Sequence, residues 1–153
     1  MADSVGKMGV ASITGDTDID ITASDYTTYI TLLTVAAAAG GLLSCKIALD
    51  FNKASTGWDT VSTAADTLDM LVVSQIDGTN YRSTQLASAQ ITANGDGSLD
   101  DTESGVLFDI GPLASGDSVI VKVKLSIERA DCEFPYRVTY QGEAPTVTAV
   151  AAA

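Results

Sequence analysis

The sequence predicts an all-β domain: an antiparallel β-sandwich or jelly-roll-like fold of seven to eight strands, with an extended N-terminal arm and C-terminal tail. Three observations carry this. Apolar and polar residues alternate at a period of two in several stretches, turn-forming residues separate those stretches, and no stretch repeats its apolar residues at helical spacing. Thr, Ser, Ala, Gly and Val fill the chain, with five Tyr, three Phe and one Trp, which suits strands and turns better than helices. At 153 residues the chain has the size of one domain. Charged residues are 18% and hydrophobic ones 46%, so disorder over the whole length is not expected.

Residues 1–18 are Gly, Ser, Thr and Asp with scattered aliphatics, and they are expected to form an arm. The sandwich domain is expected over residues 19–144. Ile19 to Thr22 alternates and can add one strand at its start. Tyr26 to Val35 is rich in Thr, Tyr and Ile, and the small residues Ala36 to Gly41 break it. Leu43, Cys45, Ile47, Leu49 and Phe51 alternate with Ser44, Lys46, Ala48 and Asp50, the pattern of a half-buried strand. Asn52 to Asp66 reads as a long loop in which Trp58 packs as a lid. Leu68 to Ile76 is a further strand, and Asp77-Gly78 joins it to Thr79–Leu86 as a hairpin, because Asp-Gly supplies the positive φ angles of tight turns. Val106 to Ile110 follows the loop from Thr92 to Gly105. Val119, Val121, Val123, Leu125 and Ile127 then make the clearest strand, with a wholly aliphatic inner face. Phe134 to Tyr140 is the last strand, and residues 145–153 form a Val/Thr/Ala tail.

Several function classes are excluded or disfavoured. The chain has no histidine, so His-based triads, acid–base chemistry and metal sites are absent. Asp66/Asp69 or Asp100/Asp101 can be nominated as a carboxylate pair, but a chain with twenty acids offers such pairs by chance, and no enzyme is expected. A net charge of −12 repels nucleic acid and anionic membrane. The most apolar run, Ile30 to Leu43, is too short to span a bilayer, and the first twenty residues contain no secretory signal. Cys45 and Cys132 are expected to be two buried thiols. The chain therefore works by binding other protein surfaces.

One loop carries a possible ligand site. From Thr92 to Glu103 the sequence resembles an EF-hand loop, with Asn94, Asp96, Ser98 and Asp100 at acceptor positions, Gly97 at the sixth and Glu103 at the twelfth. Thr92 stands where Asp is usual, and the flanks read as strands. An Asn/Asp/Gly-rich turn explains the same residues and is the preferred reading; otherwise no cofactor is called for.

A resemblance narrows the function. Leu49-Asp50-Phe51, then Ala64 to Met70 with its Thr67-Leu68-Asp69 strand entry, and Ile76-Asp77-Gly78-Thr79-Asn80-Tyr81-Arg82 resemble small virion proteins of tailed bacteriophages, particularly capsid decoration (cement) proteins. The resemblance covers about a third of the chain. It implies a β-sandwich or jelly-roll protein that is made in the host cytoplasm, sits on the outer capsid surface, often as a trimer, binds the major capsid protein and bridges capsomers. The arm and tail would then dock through Val5, Met8, Val10, Ile13, Val147 and Val150, becoming ordered on the particle. Similar hairpins occur in adhesins and carbohydrate-binding modules, so the alternative is a sugar- or surface-binding sandwich from a tail fibre or bacterial surface protein. It would rely on Trp58, Tyr81 and Tyr136.

Overall fold

A computed structural model describes residues 9–21, 29–49, 66–76, 80–91, 106–125 and 129–150, excepting the side chains of 18–21, 66–69, 76, 80–91, 125 and 129–132. Nine strands lie among them: β1 Val10–Ile21, β2 Ile30–Ala36, β3 Leu42–Leu49, β4 Asp66–Ile76, β5 Asn80–Ile91, β6 Val106–Asp109, β7 Ser118–Leu125, β8 Arg129–Gly142 and β9 Thr146–Ala149. They form a four-stranded sheet, β1-β8-β3-β6, and a five-stranded sheet, β5-β4-β7-β2-β9. Every pairing between these strands is antiparallel. The first strand pairs with the eighth, the second with the seventh, the third with the sixth and the fourth with the fifth. Such a nested hairpin, rolled so that alternate pairs fall in opposite sheets, is the jelly roll, here with β9 added beside β2.

The core follows from the period of two. On β7, Val119, Val121 and Val123 are fully buried, while Ile120, Lys122 and Lys124 between them stay partly exposed. Facing them across the sandwich, β3 contributes Leu42, Cys45, Ile47 and Leu49 and β8 contributes Phe134 and Val138. Burying a side chain of this size stabilises by roughly 1.5–3 kcal/mol, so this shared face dominates the stability.

The structure departs from the sequence expectation in three places. Val10–Asp18, expected within the arm, pairs residue for residue with β8 from Gln141 to Glu133. It lacks large side chains because it is an edge strand: the backbone ladder holds it, and of its inward positions Thr17 is buried while Ile13 and Gly15 are half-buried. In the tail, Thr146–Ala149 is β9, with Val147 and Ala149 packed on the core. This strand is short and low in complexity, and β2 supplies its register. Finally, Leu43 points outward, because a bulge between Leu42 and Ser44 turns Leu42 inward to 4% exposure and leaves Leu43 at 58%.

Candidate docking face

Each sheet of a two-layer sandwich has one face turned away from the core, and the described residues make these two faces unlike. The registers place Leu71, Val73, Ile120, Lys122, Thr34 and Thr148 on the outer face of the five-stranded sheet. Its central apolar residue, Val73, is only 5% exposed. Towards one end Lys124 sets its ammonium over the Tyr29 ring, 4.8 Å from the centroid.

The outer face of the four-stranded sheet differs. Its rows run Val10–Gln141–Ser44, Ser12–Thr139–Lys46–Asp109 and Thr14–Arg137–Ala48–Leu107. Among the described residues four large apolar side chains are exposed, and three stand on this face: Val10 at 69%, Leu107 at 61% and Leu43. The fourth, Val150, follows β9, and its carbonyl accepts a hydrogen bond from the Thr17 hydroxyl of β1, which ties the two sheets together. Small residues separate the three: Ser12, Thr14, Ala48 and Thr139. Among the described side chains, Lys46 and Arg137 stand here with Asp16, Asp109 and Glu133, so both signs of charge are interspersed. Mostly small and studded with aliphatic groups, its described part offers apolar contact to a partner.

At one end of this face, three connections far apart in sequence border an open cavity of about 500 Å³. Gly40–Leu43, Leu113–Ser115 and Gly142–Glu143 line it. Leu42 and Leu113 hydrogen-bond reciprocally, N–H to carbonyl at 2.7 and 3.0 Å, which pins the β6–β7 connection onto the start of β3. Gly41 has φ +70°, and a Cβ there would lie 2.8 Å from the Leu113 carbonyl oxygen, so only glycine fits. Asp117 locks the same connection: its Oδ2 accepts from the Ala114 N–H at 3.0 Å. Glu143 is exposed, and one carboxylate oxygen accepts from the Gly40 N–H.

The residues nominated from sequence fare differently. Val10 and Val150 are exposed as a docking role requires, whereas Ile13 is half-buried on the inner side of β1 and Val147 packs on the core. Val5 and Met8 lie outside the described residues, as do Trp58 and the loop bearing Asn94, Asp96, Ser98, Asp100 and Glu103. Tyr136 is half-buried against the core, its hydroxyl over Gly15. Cys45 is a free, fully buried thiol in the core, pushed up to about 11 by burial and then by the Asp109 carboxylate. Leu43 and Leu107 were missed. Leu107 lies in a strand of only four residues, too short to show which side it faces, and the bulge reverses Leu43.

No known protein family matches the sequence, and no curated protein does. Among solved structures the chain is similar to the infectious bursal disease virus VP2 subviral particle, at 12% identity and a TM-score of 0.45 over 86% of this chain. It spans 32%, about a third, of that protein's length.

Proposed function

We propose that the chain is a non-catalytic structural protein of a virion, a decoration protein that covers the outer surface of a phage capsid and bridges capsomers. The observation carrying this reading is the outer face of the four-stranded sheet, on which Val10, Leu43 and Leu107 stand exposed together. Resemblance of the segment from Leu49 to Arg82 to small phage virion proteins supplies the class of partner, a major capsid protein. The chain docks as a homo-oligomer, a trimer in the reading that the resemblance implies, since repeated weak contacts multiply across a symmetric shell. Light scattering checks the oligomer.

Co-sedimentation with shells of a phage major capsid protein tests the docking. The Val10→Thr/Leu107→Thr variant keeps β-forming residues on the face and should bind roughly tenfold more weakly with an unchanged melting temperature. Unaltered binding by that variant would remove the face from the contact. Of the aromatics nominated for the sugar-binding alternative, Tyr136 is half-buried against the core, and the side chains of Trp58 and Tyr81 lie outside the described residues.

A further inference from the structure

The sheet face does not account for the cavity at its end, whose lining combines apolar surface with one oriented carboxylate. We propose that it receives an arginine side chain presented by the protein that covers the adjacent face; this inference rests on the docking reading above. Leu42 and Leu113, both buried, line the cavity together with the exposed Leu43 and Ala114, apolar surface along which an aliphatic stem can lie. Leu43 also belongs to the sheet face, so the two surfaces are continuous. The volume, about 500 Å³, falls within the roughly 300–1,000 Å³ of sites that hold small ligands or anchor groups.

Charge selects the occupant. Glu143 is an exposed residue of the lining with one oxygen engaged by the Gly40 N–H, which orients the carboxylate. Among the described residues no basic side chain pairs with it. The nearby Asp117 is buried and committed through Oδ2 to the Ala114 N–H, so it adds negative potential without competing for the ligand. In a chain of net charge −12, an anionic occupant is repelled and a neutral apolar one leaves the carboxylate unused. A guanidinium fits better than an ammonium, because its planar, weakly hydrated fork tolerates the leucine lining and matches a carboxylate edge.

The test uses the full chain and n-butylguanidinium as probe, with n-butylammonium, n-pentanol and pentanoate as comparisons. Amide chemical shifts of Gly40, Gly41, Leu43, Ala114 and Glu143 are followed by NMR. Butylguanidinium should give saturable shifts confined to these residues, tighter than each comparison probe, and Glu143→Gln should weaken it roughly fivefold. That variant keeps an oxygen acceptor for the Gly40 N–H, so it should fold, and its undisturbed spectrum elsewhere verifies this. Equal affinity for pentanol or butylammonium, indifference to Glu143→Gln, or no saturable shift would overturn the inference. No capsid is needed, so such a failure leaves the sheet-face reading standing. Unaltered particle binding by Val10→Thr/Leu107→Thr, neither of which lines the cavity, would strike the face reading and leave the titration unaffected.

Discussion

At the scale of single residues, two glycines separate the cost of backbone strain from the cost of a clash. Gly41 and Gly111 both have positive φ, +70° and +81°, but a Cβ at Gly111 meets nothing within 4 Å while one at Gly41 meets the Leu113 carbonyl oxygen. Gly111→Ala should cost only the left-handed penalty, ~1–2 kcal/mol, and Gly41→Ala should cost distinctly more, because the Leu42–Leu113 pair must open. Equal unfolding midpoints for the two variants would contradict this. Cys45 gives a prediction in pH. Its folded-state value of about 11 lies above the ordinary 9.0, so the folded protein holds the proton more tightly. Below pH 9 both states are protonated and the contribution is complete. Between pH 9 and 11 the unfolded chain ionises first and stability falls, by at most ~2–3 kcal/mol. Denaturant midpoints across that range should show the decline, and Cys45→Ala should flatten it. An equally steep decline in Cys45→Ala would assign it to other groups.

At the scale of elements, the edge strand β1 carries the strongest expectation. Truncation to Val10 keeps every β1–β8 pair, whereas truncation through Ile21 strips the ladder from β8 and uncovers the edge of the core at Phe134 and Val138. The longer truncation should lose its cooperative unfolding transition or melt far lower. Matching transitions for the two truncations would mean that β1 contributes nothing. The Thr17 hydroxyl that joins β1 to Val150, just after β9, can be tested by Thr17→Val, which should cost about 1 kcal/mol. What the sequence revealed, and what it hid, follows from the same physics. β7 was legible because three valines in phase are buried by two neighbouring strands, and a central strand shows its period plainly. β1 and β9 were hidden because edge strands rely on a partner's backbone more than on their own side chains. A bulge moves the phase by one residue, so strict alternation places Leu43 on the wrong face although it reveals β3 itself. Pro135 sits inside β8, in the interior of the sheet, where Pro is ordinarily excluded. It lies opposite Asp16 of β1, and among the described residues β3 pairs with β8 only as far as Tyr136, so no described β3 residue asks Pro135 for an N–H.

At the scale of the whole molecule, the nested pairing of a jelly roll makes two outer faces and brings distant connections together at one end. The cavity was illegible for that reason: its lining comes from residues 40–43, 113–115 and 142–143, which no local pattern relates. The face was half legible, because strand alternation foretells outward positions but not which strands lie side by side. Six of the eight basic residues, Lys46, Arg82, Lys122, Lys124, Arg129 and Arg137, fall within strands, so the sheets are less acidic than the chain's −12 implies. Net charge keeps separate molecules apart in solution, while a sheet face with basic residues among its acids can still be buried.

A cryo-electron-microscopy map of capsids saturated with the protein tests the docking most directly. The four-stranded sheet should lie against the shell, with Val10, Leu43 and Leu107 in the contact and the five-stranded sheet turned to solvent. A map with the five-stranded sheet against the shell, or with particles that carry no bound protein, would contradict it.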